Sequence, residues 1–126
     1  MIEFSVKLSN RPGQLATLSR ELAAAGVNIE ALAAFTSGPE GYVKIVVDHE
    51  EAARRVLREA GVGYEERRII TAVLHDKPGA LADMAEALAT IGVNIEAMYL
   101  LRSADDGLSF AVAVDDPESA VEYVPA

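Results

Sequence analysis

Cysteine is absent from this chain of 126 residues, which excludes disulfides, thiolate zinc sites and cysteine nucleophiles. Tryptophan is absent too, and aromatics make up only 6% of the residues, too few for a sheet that stacks on nucleic-acid bases. Positive charge is scarce: 11 Lys and Arg stand against 20 Asp and Glu, a formal charge of -9. A field of that sign repels phosphate backbones and anionic lipid surfaces, so neither nucleic acid nor membrane is expected as a partner. No apolar run is long enough to span a bilayer, and MIEFSVKLSN has no basic segment leading into an apolar one. Together with the missing cysteines, this points to a cytoplasmic protein.

What is present is repetition. Asn10-Arg11-Pro12-Gly13-Gln14-Leu15 and Asp76-Lys77-Pro78-Gly79-Ala80-Leu81 stand at the same offset as Gly26-Val27-Asn28-Ile29-Glu30 and Gly92-Val93-Asn94-Ile95-Glu96. A unit of about half the chain has therefore been duplicated. Residues 1–68 and 69–126 are expected to be two domains, each near the lower size limit for a self-sufficient core. Hydrophobic residues, 51% of the total, exclude a disordered chain.

Within the first unit, Ile2–Leu8 alternates apolar and polar residues, as a strand with one buried face does. Leu15, Leu18 and Leu22 form a helical stripe that Gly26 terminates, and Pro12 suits the first helical turn. Asn28–Thr36 and Tyr42–Val47 read as a hairpin around Ser37-Gly38-Pro39-Glu40-Gly41. Glu50–Ala60 reads as a second helix and Gly63–Arg68 as a closing strand. The second unit replays this as strand Ile69–Leu74, helix Pro78–Ile91, strands Asn94–Arg102 and Leu108–Val114, and a short helix from Pro117. No residues remain after it for a closing strand, so that strand is lacking or borrowed, and the open edge should be covered by another strand.

A doubled β-α-β-β-α-β unit with Pro-Gly after its first strand and Gly-Val-Asn-Ile after its first helix resembles a tandem of ACT domains. The resemblance implies an α+β fold of two ferredoxin-like βαββαβ units, with antiparallel sheets and helices on one face. It also implies a non-catalytic regulatory sensor that binds amino acids where ACT domains meet, acts as a homodimer, and needs no cofactor or metal. The ligand residues implied are Asn10, Arg11, Pro12, Gly13, Gln14, Leu15, Asn28 and Ile29, with Asp76, Lys77, Pro78, Gly79, Ala80, Leu81, Asn94 and Ile95 in the second unit.

The residues support this chemically. A free amino acid needs donors for its carboxylate, which main-chain N–H groups at a helix start provide. Gly13 leaves room for close approach. The Asn10 amide offers a donor and an acceptor, and the Asp76 carboxylate favours an ammonium. Plainer roles stand beside these: Pro-Gly is also a turn, and Asn28 and Asn94 can be purely local caps. Glu30 and Glu96 read as surface strand residues, and His75 beside Asp76 lacks the further ligands that a zinc site needs. The cluster Arg54, Arg55, Arg58, Arg67 and Arg68 reads as a solvated face paired with neighbouring glutamates.

The alternative function is a regulatory interaction subunit of an amino-acid biosynthetic enzyme, since acetolactate synthase small subunits carry a similar Asn-any-Pro-Gly segment. An acylphosphatase-like enzyme shares the broad topology, but Ser9-Asn10-Arg11-Pro12-Gly13 does not reproduce a phosphate-cradling loop. The two junctions also differ, Asn10 against Asp76 and Gln14 against Ala80, so two equal sites do not follow from the repeat.

Overall fold

The computed structural model describes residues 1–125 and divides into two compact units, Ile2–Arg67 and the residues from Arg68 onward together with Met1. In the first unit the order is β1 (Ile2–Ser9), α1 (Gln14–Ala24), β2 (Ile29–Ser37), β3 (Glu40–Val47), α2 (Glu50–Ala60) and β4 (Gly63–Arg68). Its four strands lie in the order β2-β3-β1-β4. β3 runs antiparallel to both neighbours, pairing Phe4 with Ile45 and Val43 with Ala34. Phe4, Val6, Val43 and Ile45 point to one face, where Leu18 and Leu22 of α1 and Val56 and Leu57 of α2 close the core.

In the second unit β5 (Ile70–Leu74), α3 (Ala80–Thr90), β6 (Ile95–Ala104), β7 (Gly107–Val114) and α4 (Pro117–Ala120) follow in the same sense, then a 3-10 turn at Val121–Tyr123. The sheet order β5-β7-β6 corresponds to β1-β3-β2. Ile70, Ala72, Leu74, Val112 and Val114 pack on Met84 and Leu88 of α3, with Ala120 and Val124 filling the remaining side. No strand of the sheet lies beyond β5 among the described residues; instead the Val73 N–H donates to the Pro125 carbonyl at 2.9 Å. The expected βαββαβ architecture with a shortened second unit is what the chain adopts.

Helix starts differ from the expectation that Pro12 and Pro78 enter the first turn. Gly13 and Gly79 cap the helices at φ 88° and 93°, left-handed values that a helical residue does not take, so both prolines stand outside. At the other end, the N–H groups of Gly26 and Val27 donate to the carbonyls of Ala23 and Leu22 at 3.0 and 2.9 Å, a Schellman motif with Gly26 at φ 77°. Gly92 and Val93 repeat it on Ala89 and Leu88. Val27 and Val93 are buried, which anchors each chain reversal in its core.

No helix among the described residues is long and apolar enough to cross a membrane. The described residues hold no cluster of three or more His, Asp or Glu side chains suited to a metal.

Candidate ligand site at the strand-to-helix junctions

The β1–α1 junction is shaped by three short hydrogen bonds. Arg11 N–H reaches back to the Ser9 carbonyl at 2.9 Å, while Asn10 binds the β2–β3 turn twice. Its main-chain N–H donates to Pro39 O at 2.9 Å and its side-chain amide to Gly38 O at 3.0 Å. One N–H of the Asn10 amide is thus committed to the protein's own hairpin, while its oxygen accepts no hydrogen bond from that turn. α1 begins at Gln14, so the N–H groups of Leu15 and Ala16 fall in the first turn, where a helix has no internal acceptor to offer.

A cavity of about 370 Å³ opens beside this helix start. Leu8, Leu15, Ala34 and Val43 give it apolar walls, and Asn10, Arg11, Gln14 and Thr36 surround them with polar tips. Arg11 is the single charged side chain on the lining, and no carboxylate shares it. Phe35, Gly41 and Tyr42 also border the cavity. Strand alternation turns the Phe35 and Tyr42 rings to the face opposite Val43, where they stack with centroids 5.3 Å apart. On that opposite face Glu40 accepts from Tyr42 at 2.9 Å and pairs with Lys7 at 2.9 Å. The Lys7 hydrogen bond, then that of Tyr42, holds the Glu40 carboxyl below its ordinary range, and the Glu40 bond raises Lys7 and Tyr42.

The β5–α3 junction repeats the main chain and not the surroundings. Lys77 N–H meets the His75 carbonyl at 2.9 Å, as at Arg11, but the Asp76 carboxylate has no N–H with which to bind the opposing turn as Asn10 does. A hollow of about 480 Å³ lies here, lined by Asp76, Asp105 and Asp106 with His75, Lys77 and Ser103. The adjoining ends of β6 and β7, from Ser103 to Ala104 and from Gly107 to Leu108, complete its lining. Larger residues stand at the sheet positions that border the first cavity. Where β1 pairs Leu8 with Gly41, β5 pairs Leu74 with Leu108; where β2 pairs Ala34 with Val43, β6 pairs Leu100 with Phe110. A further hollow of about 710 Å³ runs along β5 between α3 and the segment Glu122–Pro125, on the side where the first unit has β4.

The expected site residues separate into two groups. Asn10, Arg11, Gln14 and Leu15 line one cavity, with Pro12 and Gly13 shaping the loop between them. In the second unit Asp76 and Lys77 line the loop hollow, Ala80 borders the hollow along β5, and Leu81 is exposed. Pro78 and Gly79 shape that turn.

Asn28 and Ile29 sit at the other end of their sheet. Ile29 pairs with Val47, whereas Ser9 pairs with Glu40, seven residues away along β3 or about 23 Å. Asn28 N–H donates to Asp48 Oδ1 at 2.8 Å and Asn94 N–H to Asp115 Oδ1 at 2.9 Å. Ile95 likewise opens β6, paired with Val114. Each strand then slips its register just past the isoleucine, leaving Glu30 and Glu96 exposed on a bulge. The glycine, valine, asparagine and isoleucine of each Gly-Val-Asn-Ile-Glu repeat therefore have a folding role within their own unit.

Sequence reasoning passed over Leu8, Ala34, Thr36, Gly41 and Val43. Their signal was available in the alternation of β1, β2 and β3 once the hairpin register was known, because residues two apart share a face.

Comparison with known proteins agrees with this fold. The ACT domain model matches residues 2–60. A solved protein of Bacteroides thetaiotaomicron is 22% identical, with 97% of this chain and 84% of that one covered and a TM-score of 0.87. The regulatory subunit of aspartate kinase from Thermus thermophilus, in a ligand-free form, is 20% identical over 97% and 88% of the two chains, with a TM-score of 0.71. Aspartate kinase of Clostridium acetobutylicum is 15% identical over 97% of this chain and 31% of its own, with a TM-score of 0.59. A search of curated protein sequences returns no match. Residues 2–60 match the ACT domain family, and the second unit repeats the element order of the first from its opening strand through its second helix.

Proposed function

We propose that the protein is a non-catalytic regulatory module that binds a free amino acid at the β1–α1 junction of its first unit. The observation that carries this reading is the cavity beside the start of α1. There the first-turn N–H groups and Arg11 offer donors to a carboxylate, Asn10 Oδ1 offers an acceptor to an ammonium, and apolar walls stand a few ångströms away. A zwitterion needs those three features at fixed separation, and a phosphate or a simple anion has no use for the apolar wall. The similarity to a regulatory subunit and to about a third of a kinase chain supports a role in which binding is passed to a protein partner, a catalytic subunit or a second copy of this chain. Unpaired backbone groups along β2, at the edge of its sheet, support such association.

Thermal-shift screening with the twenty amino acids tests the reading: at least one should raise the melting temperature in a concentration-dependent way. A flat response to all of them would remove the sensor reading.

A further inference from the structure

From the walls of the first cavity, we infer that its ligand is an amino acid with an uncharged, apolar side chain, and that the second junction takes no zwitterion. The inference rests on the reading of the first junction as an amino-acid site.

Three observations support it. First, Arg11 is the one charged side chain on the lining. It can neutralise the α-carboxylate, which leaves no second cation for an acidic side chain and no carboxylate for a basic one, and an unpaired charge is costly to bury. Second, the remaining space is bounded by Leu8, Leu15, Ala34 and Val43, which offer contact to methyl and methylene groups and no hydrogen bonds from their side chains. Third, the room exists because β3 carries Gly41 and Val43 where β7 carries Leu108 and Phe110, and β2 carries Ala34 where β6 carries Leu100. The repeat thus contains its own comparison: the same main chain, with larger residues at these sheet positions, three aspartates lining one adjoining hollow, and Asp83, Asp106 and Glu122 beside Lys77 in the hollow along β5.

The ligand's size is limited by the same residues. A Cβ on Gly41 would sit 3.7 Å from the Leu8 carbonyl oxygen, an ordinary contact, so larger side chains can be introduced there without forcing the strands apart. This makes the second unit's residues usable as a plug.

Isothermal titration of the full chain with leucine, isoleucine, valine, methionine and phenylalanine, against aspartate, glutamate, lysine and arginine, reads the side-chain class. At least one apolar amino acid should bind about tenfold or more tighter than every charged one. The variant Ala34→Leu/Gly41→Leu/Val43→Phe should lose binding by at least about tenfold. Ala34 is exposed, so Ala34→Leu alone keeps the fold and should weaken the larger apolar ligands more than valine. A charged amino acid binding best would overturn this inference and leave the amino-acid site standing. Binding that survives both Ala34→Leu and the triple variant would also overturn it. Failure of every amino acid to bind would instead remove the functional reading beneath it.

Discussion

The two strand-to-helix junctions share a backbone and differ in what surrounds it. Both turn through a left-handed glycine into an eleven-residue helix, at Gly13 and Gly79, and both close the preceding loop with the same hydrogen bond two residues back, to the Ser9 or His75 carbonyl. Yet the first has an apolar cavity with one arginine, and the second has a hollow lined by three aspartates beside a sheet with larger residues at the equivalent positions. The difference separates the part of a repeated motif that folding requires from the part that is free to bind. Main-chain geometry is alike in both copies, while the side chains on the neighbouring strands differ.

The cores offer the largest test of the claim that both units fold alike. Leu22 and Leu88 occupy equivalent helix positions and are fully buried. Leu22→Ala and Leu88→Ala should each cost about 2–5 kcal/mol in denaturant unfolding, with the two values within about 2 kcal/mol of each other. A much smaller loss at one position would show that its core is loosely packed.

The hairpin turns should respond unequally. Gly107 has φ 154°, and a Cβ there would meet the Leu74 carbonyl oxygen at 2.9 Å and Val73 Cγ1 at 3.1 Å. Gly107→Ala is therefore expected to destabilise by about 2–3 kcal/mol. In the first unit Gly41→Ala meets only ordinary contacts and should change stability by less than about 1 kcal/mol. Equal effects would contradict the tighter approach of β7 to β5.

The matched clasps that hold the start of each second strand come next. Asp48→Ala and Asp115→Ala each remove the acceptor for one main-chain N–H, that of Asn28 or Asn94, at an exposed site. Each should cost about 1 kcal/mol and speed amide exchange at that asparagine alone.

The smallest effect distinguishes the units by pH. Glu40 has a lowered pKa because Lys7, then Tyr42, hydrogen-bonds its carboxylate, whereas Gly107 takes its place in the second unit. A lowered folded pKa means that the stabilising contribution is present above the ordinary carboxylate range and is lost as pH falls through the lowered value. The melting difference between wild type and Glu40→Gln should be small at neutral pH and vanish in acid, and it should shrink with added salt because the group is exposed. A difference that persists in acid would assign the effect to packing instead.

Much of this architecture was legible in the residues because the repeat could be checked against itself. Gly26-Val27 and Gly92-Val93 announced two helix ends, and the alternation of Phe4, Val6 and Leu8 announced a half-buried strand. Placing Pro12 and Pro78 inside their helices failed because proline at a first turn and proline just before a left-handed glycine look the same in sequence, and only the φ of the glycine separates them. The site was legible in its loop and not in its walls. Ala34, Gly41 and Val43 carry no chemical signature, and they become a cavity only through hairpin register, which a bulge on β6 between Leu100 and Arg102 shifts between the units. Asn28 and Asn94 read as ligand groups because asparagine after a helix is chemically versatile and the resemblance sets the start of each second strand against the loop of a neighbouring domain; within its own unit each bonds an aspartate at the other end of the sheet.

The central claim is that one junction binds and its copy does not. Following backbone amide signals by NMR while the best-binding apolar amino acid is titrated into the full chain tests it most directly. The account predicts saturable shifts at residues 8–15 and 34–43, with the amides of Leu15 and Ala16 among the most affected and residues 75–81 and 103–108 unmoved. Shifts centred on Asp76, Lys77, Asp105 and Asp106, with the first junction silent, would contradict it.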